Sequence, residues 1–284
     1  MTRTLLITGC SSGLGRFTAA RFAAEGRNVI ATMRKPDPAL AEAYPDRVLV
    51  QPLDVADPAS IDAAIAAGVA RFGGLDAVVN NAGITMVSVF EATPDEAIRS
   101  IFETNVFGLM NVTRAALPHL RRRQGGTIVN VSSGVGLVGV PLLSIYVASK
   151  QAVEGLSESL AYELESQNIR IRLVEPGAMR STNFTATGMA ASAGAPVPDA
   201  YRAYFDHALG AMMDYPFAAT EEASVVDAIH AAATDSSDRL RYVVGPDVEE
   251  YARLRWSTSE AEYRAGMGRL MGQVAWRERA DAAA

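Results

Sequence analysis

The sequence predicts an α/β protein: a doubly wound parallel sheet of about seven strands with helices on both faces. Short β-branched apolar runs alternate with longer amphipathic stretches about seven times along the 284 residues, as in repeated strand–helix–strand units. A glycine-rich turn at residues 9–15 joins the first run to the first amphipathic stretch. Hydrophobic residues make up 49% of the chain, enough for a large core. Without a visible repeat or linker, a single domain over residues 1–284 is expected.

The predicted elements follow the chain in order. Strands are expected at residues 4–8, 29–33, 47–52, 75–79, 126–131, 169–174 and 242–244, from runs rich in Val, Ile, Leu and Thr. Helices are expected up to residue 24 and at 58–72, 94–123, 146–166, 221–233 and 249–279, from apolar residues at helical spacing. Thr93 is expected to cap the third helix, with Pro94 in its first turn.

Charge and cysteine content limit the partners and the compartment. The chain has 26 Lys and Arg against 32 Asp and Glu, a net charge of −6, so neither nucleic acid nor an anionic membrane is expected as a partner. Its one cysteine, Cys10, allows no intrachain disulfide and favours a reducing compartment. The apolar run after Arg3 is too short for a signal peptide, and no uninterrupted apolar run reaches about 18 residues. A cytoplasmic location is expected.

The glycine-rich turn has the spacing G-x-x-x-G-x-G between a strand and a helix. Glycines permit a tight turn and a close backbone approach, and the N–H groups at the start of such a helix can hold a pyrophosphate. The pattern also fits a helix start that simply needs small residues, so it does not identify a ligand by itself.

The second and third strands end in residues that could contact the adenosine half of a dinucleotide. Arg34 and Lys35 follow the second strand, where an acidic residue would select NAD. A guanidinium suits a 2′-phosphate, so Arg34 favours NADP, unless both are merely solvated basic residues. Asp54, after the third strand, could accept from the adenine amino group or cap the next helix, for which Asp57 or Ser60 would also serve.

Amide side chains mark two further positions. The fourth strand ends in Asn-Asn-Ala-Gly at residues 80–83, where small residues admit a ligand and the amides can bridge strand ends. Asn105 falls in the middle of the helix predicted at 94–123, where asparagine is mildly unfavourable. Either it faces solvent, or a kink or water site there relays protons to Lys150.

Tyr146 and Lys150 lie four residues apart, on one face of the helix predicted at 146–166. The pKa of a phenol is roughly 10. An ammonium group about 4 Å away, at an effective dielectric constant of about 20, favours the phenolate by about 4 kcal/mol, or roughly three pKa units. We therefore expect Lys150 to lower the pKa of Tyr146, so that the phenol acts as acid or base near neutral pH. Ser132 and Ser133 follow the fifth strand, at the sheet edge where open α/β sheets bind ligands.

Three other segments have a distinct character. Residues 180–217 are rich in small, aromatic and proline residues, as in a substrate-binding flap, and with the apolar loop at 135–143 they predict an apolar or bulky substrate. The helical pattern at 247–284 predicts a C-terminal extension. The apolar stripe on the helix at 146–166 fits either subunit pairing or packing on its own sheet; its members are Val153, Leu156, Leu160 and Leu164.

Five signals in fixed order over residues 4–182 together resemble the classical short-chain dehydrogenase/reductase family. They are the motifs at residues 8–15 and 80–83, Asn105, Ser133 with Tyr146 and Lys150, and Pro176-Gly177. The resemblance implies a Rossmann-like sheet and an NADP(H)-dependent oxidoreductase that interconverts a secondary alcohol and a ketone. The Thr-Met-Arg run at 32–34 is similar to NADP-preferring members near the 17β-hydroxysteroid and retinol dehydrogenases.

The resemblance also assigns catalytic roles. Tyr146 would be the general acid in ketone reduction and the base in alcohol oxidation, with its pKa lowered by Lys150, which would also bind the nicotinamide ribose. Ser133, or alternatively Ser132, would hydrogen-bond the substrate oxygen, and Asn105 would position a water in the proton relay.

Cofactor contacts are likewise implied by the resemblance. Ser11 would meet the 2′-phosphate, Asp54 would hold adenine, Met179 would hold the carboxamide through its backbone, and the threonine that the family has after Pro-Gly falls on Ser181 or Thr182. The whole expected set is Gly9, Ser11, Ser12, Gly13, Leu14, Gly15, Arg34, Asp54, Val55, Asn81, Ala82, Gly83, Tyr146, Lys150, Pro176, Gly177, Met179, Ser181 and Thr182.

Family members usually form homodimers or homotetramers through the helices that correspond here to residues 95–122 and 146–166. No metal is expected, because His119, His207 and His230 are too dispersed in sequence for a ligand cluster. Two alternative functions remain: a non-catalytic NADP-binding regulator, and an epimerase or dehydratase on the same fold. The first conflicts with the retention of both Tyr146 and Lys150.

Overall fold

A computed structural model describes residues 3–179, 183–192 and 195–283 of the chain. Seven strands form one parallel sheet in the order β3-β2-β1-β4-β5-β6-β7. They are β1 (Thr4–Ile7), β2 (Asn28–Met33), β3 (Val48–Pro52), β4 (Ala77–Asn80), β5 (Gly126–Val131), β6 (Ile169–Pro176) and β7 (Arg241–Val244). The predicted fold class, a doubly wound parallel sheet, is confirmed.

Helices cover both faces of this sheet and extend beyond it. They are α1 (Gly13–Ala24), α2 (Ala39–Ala43), α3 (Pro58–Phe72), α4 (Asp95–Phe102), α5 (Leu109–Arg122), α6 (Ser144–Glu165), α7 (Asn183–Ala191), α8 (Asp199–Met213), α9 (Glu222–Thr234), α10 (Pro246–Ser257), α11 (Glu260–Leu270) and α12 (Gln273–Ala283). None of the helices in the described ranges is long and apolar enough to cross a membrane.

The core has two layers because strand side chains alternate between the faces of the sheet. Ile7 and Val29 pack with Phe22 on the face covered by α1 and α9. Leu6 and Ile30 point the other way, into the layer formed with α3, α5 and α6. Both faces are therefore buried, which explains why the central strands are apolar runs rather than alternating patterns.

Several predicted boundaries shift by one or two residues. The strand predicted at 169–174 continues through Glu175 to Pro176, so both residues belong to the buried sheet. Helix α6 begins at Ser144, which places Tyr146 inside its first turn. The apolar stripe of α6 packs on its own sheet and the neighbouring helices, so this alternative accounts for the stripe.

The helix predicted at 94–123 is a continuous helical run with an unusual middle. Glu103–Gly108 form a π-helical turn between α4 and α5. Thr93 does not cap the run: Pro94 is the N-cap residue, and the Thr93 hydroxyl donates to the Val89 carbonyl at 3.1 Å. Inside the π turn Asn105 is only 2% exposed, so the solvent-facing alternative is wrong. Single π turns within α-helices are frequent at functional sites.

Candidate active site

The order of the strands reverses between β1 and β4, and the carboxyl ends of these two strands are tied together by Thr8 and Asn81. The amides of Asn81 and Ala82 donate to Thr8 Oγ1 at 3.0 Å, and Asn81 Nδ2 donates to the Thr8 carbonyl at 2.9 Å. The prediction that amides bridge strand ends is therefore confirmed for Asn81. Such a reversal opens a crevice at the sheet edge, where α/β proteins bind ligands.

The glycine turn of residues 9–15 lines this crevice with bare backbone. Gly9 has a φ of +75°, and a Cβ on Gly15 would lie 2.4 Å from the Gly9 carbonyl oxygen, so both positions require glycine. At the start of α1 the N-cap residue Ser12 accepts no hydrogen bond through its side chain, and no acidic residue occupies the first turn. The first N–H groups of α1 can therefore hold an anionic group such as a pyrophosphate.

The other residues of this turn differ in their exposure to solvent. Ser11 and Ser12 are exposed, whereas Leu14 is buried. Cys10 is fully buried, and burial raises the pKa of its thiol to about 12. Cys10 is therefore a structural rather than a reactive cysteine.

Exposed basic side chains follow the end of β2, and the nearby carboxylate of Asp37 is paired. Arg34 and Lys35 are exposed, and Arg34 makes no ion pair within the described residues. The nearby acid, Asp37, is paired with Arg16 at 2.6 Å.

The open question about Asp54 is resolved in part. Asp57 caps α3 by accepting from the Ala59 amide at 3.0 Å. Asp54 closes its own turn by accepting from the Ala56 amide at 3.0 Å, while Val55 is buried beneath the π turn against Gly108. The adenine contact of Asp54 stays a prediction.

Ser133, Tyr146 and Lys150 converge beside this crevice. The Ser133 side chain lies within reach of the Tyr146 hydroxyl, where its hydrogen-bonding lowers the pKa of the phenol. Lys150 Nζ lies 5.8 Å from the centroid of the Tyr146 ring and donates to the Val131 carbonyl at 2.8 Å. Ser132, the alternative serine, is 3% exposed and faces Glu154 of α6 instead. The structure thus favours Ser133 as the partner of Tyr146.

The expected lowering of the Tyr146 pKa is wrong for this structure. Burial raises the pKa of Tyr146 to about 12, only partly offset by the hydrogen bond with Ser133. Burial also lowers the pKa of Lys150 to about 8, against the opposing charge of Glu154. The expectation counted the attraction of the ammonium group and left out the cost of burying a phenolate, which is the largest effect on Tyr146.

Asn105 stabilises the loop next to Lys150 through its side chain. Its Oδ1 accepts from the Ile84 amide at 2.8 Å, and its Nδ2 donates to the Ile84 carbonyl at 2.9 Å and to Ser149 Oγ at 3.0 Å. A Cβ on Gly83 would lie 3.4 Å from Asn105 Oδ1 and 3.8 Å from Lys150 Nζ, so Gly83 separates the two side chains. The proton-relay role of Asn105 stays a prediction.

The loop after β6 is held from below by Asp247, a buried residue that sequence reasoning missed. Asp247 Oδ2 accepts from the Ala178 amide at 2.9 Å, and a Cβ on Gly177 would lie 2.0 Å from Asp247 Oδ1. The Ala178 carbonyl accepts from the Thr220 amide at 2.9 Å. An acidic residue directly after Gly-Pro, at a helix start, was the available signal. Met179 is half-buried against the core, and Ser181 and Thr182 lie outside the described residues.

An apolar cover lies over Tyr146. The Phe184 ring of α7 is 5.6 Å from the Tyr146 ring, centroid to centroid. Helix α8 contributes to an apolar cluster with Val87 and Leu142, and α12 supports α8 through Trp276. The surroundings of the phenol are thus apolar on the side away from the glycine turn.

The histidines serve structural or surface roles. His207 contacts the Gly272 carbonyl at 2.8 Å, His230 pairs with Glu25 at 2.6 Å, and His119 contacts Arg122. Over residues 3–179, 183–192 and 195–283, no group of three or more His, Cys, Asp or Glu side chains could hold a metal ion.

Comparison with known proteins identifies the family. The family model described as short chain dehydrogenase matches residues 3–192. The chain belongs to this family. It is 38% identical to the uncharacterized oxidoreductase YusZ of Bacillus subtilis, over 90% of this chain and 95% of that one. It is also 42% identical to bovine retinol dehydrogenase 8, over 62% of this chain and 58% of the relative. The chain is accordingly an oxidoreductase of the short-chain dehydrogenase family.

Solved structures of similar proteins share the fold over most of the chain. A short-chain dehydrogenase from Streptomyces avermitilis is 36% identical, with a TM-score of 0.76, over 88% of this chain and 90% of that one. ElxO with NADP bound is 26% identical, with a TM-score of 0.71, over 86% and 98%. A 3-ketoacyl-(acyl-carrier-protein) reductase from Brucella melitensis complexed with NADH is 27% identical, with a TM-score of 0.69, over 85% and 96%. A nicotinamide cofactor is thus a property of the neighbours, in both its phosphorylated and unphosphorylated forms.

Proposed function

We propose that this protein is an NADP(H)-dependent oxidoreductase that interconverts a secondary alcohol and a ketone, with Tyr146 as the general acid and base. The observation that carries the proposal is the convergence of Ser133 and Lys150 on Tyr146, at the edge of the crevice lined by the glycine turn. A bound nicotinamide supplies the hydride. The chain supplies a proton and a hydrogen bond where negative charge develops on the substrate oxygen.

The protonation of Tyr146 favours reduction at neutral pH. Because burial raises its pKa to about 12, the phenol keeps its proton and can donate it to a carbonyl oxygen. Ser133 can hydrogen-bond the same oxygen, and the Lys150 ammonium favours the phenolate left after proton transfer. Reduction should therefore persist across neutral pH, while alcohol oxidation should require alkaline pH.

The residues of the crevice support NADP(H) as the cofactor. The first turn of α1 and the glycines would hold the pyrophosphate, and exposed Arg34 would meet the 2′-phosphate, together with Ser11. The carboxylate of Asp37 is neutralised by Arg16, which removes a reason to prefer the free ribose of NAD. Titration of the protein with NADPH and NADH should give the tighter dissociation constant for NADPH.

The apolar cover predicts the substrate class. Phe184 lies against Tyr146, so a carbonyl that reaches the phenol must pass an aromatic surface. The similarity to retinol dehydrogenase 8 is consistent with an apolar substrate. We expect bulky apolar ketones to be reduced with a higher kcat/KM than short polyols or sugars. A panel of carbonyls and alcohols with NADPH and NADP tests the function, and turnover restricted to sugars would contradict this substrate class.

A homodimer or homotetramer in the cytoplasm completes the proposal. Phe107 in the π turn is 50% exposed and Tyr162 on α6 is 81% exposed, so the helices expected to pair carry large apolar side chains that this chain alone does not cover. Light scattering on the purified protein measures the assembly, and a monomer would contradict it.

A further inference from the structure

A buried cluster of charged side chains lies one turn of α6 beyond Lys150, on the side away from Tyr146. Glu154 is 6% exposed, and Glu175, near the end of β6, is fully buried. Arg241, at the start of β7, joins them: its guanidinium lies 3.1 Å from Glu154 Oε2 and 3.1 Å from Glu175 Oε1. The same guanidinium pairs with Glu158. One arginine therefore serves three carboxyl groups, two of them buried.

The two buried carboxyl groups have more acceptor oxygens than the neighbouring donors satisfy. Glu175 Oε2 receives no hydrogen bond from any donor in the described part of the chain. Burial, together with the charge of Glu154, raises the pKa of Glu175 to about 9, and burial also raises that of Glu154. Two like charges in one buried place are strongly disfavoured, so the pair holds a proton at neutral pH. When Glu175 carries this proton, its carboxyl group can donate a hydrogen bond to Glu154.

One shared proton lowers the negative charge of the buried pair from two to one. Lys150 and Arg241 each carry one positive charge, Glu158 carries one negative charge, and the pair with its shared proton carries one more. Two ionised carboxyl groups in one buried place repel each other, whereas a fully protonated pair would leave Lys150 without an acidic neighbour. Burial alone lowers the pKa of Lys150, and the charge of Glu154 opposes that effect.

Solvent reaches the cluster through a cavity of about 310 Å³. Its charged and polar lining residues include Gln151, Glu154, Glu158, Arg241 and Arg255. The β5 side of the cluster is formed by Ser132, since a Cβ on Gly136 would lie 2.7 Å from Ser132 Oγ and 3.0 Å from Glu154 Oε1. The facing groups are thus Lys150, Glu154 and Glu158 from α6, Ser132 from the end of β5, Glu175 from β6, Arg241 from β7 and Arg255 from α10.

We propose that Glu154 and Glu175 form a proton-sharing acid pair that acts as a positioning device for Lys150, holding its ammonium group charged beside Tyr146. The pair touches neither Tyr146 nor the glycine turn, and it acts only through Lys150. The proposal rests on the proposed function for its role in turnover, while the shared proton itself can be tested without a substrate.

The substrate-free experiment measures the shared proton. Wild-type protein at pH 7 should show the infrared absorption of a protonated carboxyl group, which disappears as the pH rises through about 9 and is absent in Glu175→Gln. Because the folded state keeps this proton while the unfolded chain loses it near its ordinary pKa, the free energy of unfolding should fall as the pH rises from about 4.5 to 9. Glu175→Gln should remove that fall. Absence of the infrared band in the wild type would overturn the proposal.

The second experiment measures the effect on Lys150 in the alkaline limb of the pH profile of kcat/KM for carbonyl reduction. Glu154→Gln should move this limb to lower pH by at least about half a unit, because Lys150 loses its negative neighbour. Glu175→Gln should not move this limb to lower pH, because Glu154 is then free to stay ionised. Glu158→Gln, which removes an exposed partner of the same arginine, is the matched control and should leave it in place.

Each outcome is decisive. If the alkaline limb of kcat/KM lies at the same pH in Glu154→Gln and Glu158→Gln, and all variants fold, the proposal is overturned. Should the wild type reduce no carbonyl at all, the proposed function fails, and the infrared and unfolding measurements alone decide whether the proton is shared.

Discussion

Replacement of Gly15 by alanine tests the glycine turn at its tightest point. The added Cβ would lie 2.4 Å from the Gly9 carbonyl oxygen and 2.5 Å from Asn81 Nδ2. Asn81 Nδ2 is itself held by the Thr8 carbonyl at 2.9 Å, so neither neighbour can simply rotate away. Restoring an ordinary contact distance would require the backbone to move by about 1 Å.

Overpacking of this kind costs about 1–3 kcal/mol. Because the strain falls on the backbone that holds the pyrophosphate, we expect NADPH to bind about 5- to 150-fold more weakly to Gly15→Ala. The assay is a fluorescence titration with NADPH, accompanied by urea unfolding to show that the variant is folded.

A matched control is Gly155→Ala. Gly155 is an exposed glycine within α6, and a Cβ there would meet no atom within 4 Å. This variant should gain about 0.5–1 kcal/mol of stability from helix propensity and keep wild-type NADPH affinity. A folded Gly15→Ala protein with the same NADPH affinity as Gly155→Ala would refute the reasoning.

Three further perturbations probe other parts of the account. Arg34→Ala should raise the dissociation constant for NADPH about tenfold, because an exposed charged hydrogen bond is lost, and should leave the dissociation constant for NADH unchanged. Arg99→Ala, on α4, is the control. Equal effects of Arg34→Ala on both cofactors would contradict the 2′-phosphate contact. Because the folded pKa of Lys150 is about 8 and the unfolded value about 10.5, the unfolded chain binds this proton more tightly, so Lys150 should contribute a rise of about 3 kcal/mol to the stability between these pH values. Lys150→Met should remove that rise in pH-dependent unfolding, and an unchanged slope would refute the buried ammonium. Trp276→Ala removes two aromatic contacts with α8. This variant should raise the substrate KM and lower the free energy of unfolding by about 1–3 kcal/mol without changing NADPH affinity. A loss of NADPH binding would contradict the separation of the segment at 180–217 from the cofactor site.

Local chemistry in the sequence predicted the regular elements well. Helix α3 and strand β5 begin and end where the sequence predicts, because proline at a helix start, glycine after its end and β-branched runs act locally. The sequence also predicted the glycine turn and the bridging role of Asn81, because both depend on backbone geometry at one strand end.

What the sequence could not predict depends on burial or on distant partners. The sign of the Tyr146 pKa shift follows from how deeply α6 is buried, which spacing alone cannot reveal. The cluster of Glu154, Glu175 and Arg241 joins α6, β6 and β7, and Asp247 reaches the loop after β6 from a helix about 70 residues later. Thr93 failed as a cap because its hydroxyl found the Val89 carbonyl instead.

The most direct test of the central claim is the turnover of Tyr146→Phe on a ketone that the wild type reduces with NADPH. If the phenol is the proton donor, kcat should fall by about 10²- to 10⁴-fold while the dissociation constant for NADPH stays within about threefold of wild type. Tyr162→Phe, on the exposed face of the same helix, should retain wild-type turnover. Full turnover by Tyr146→Phe would contradict the account.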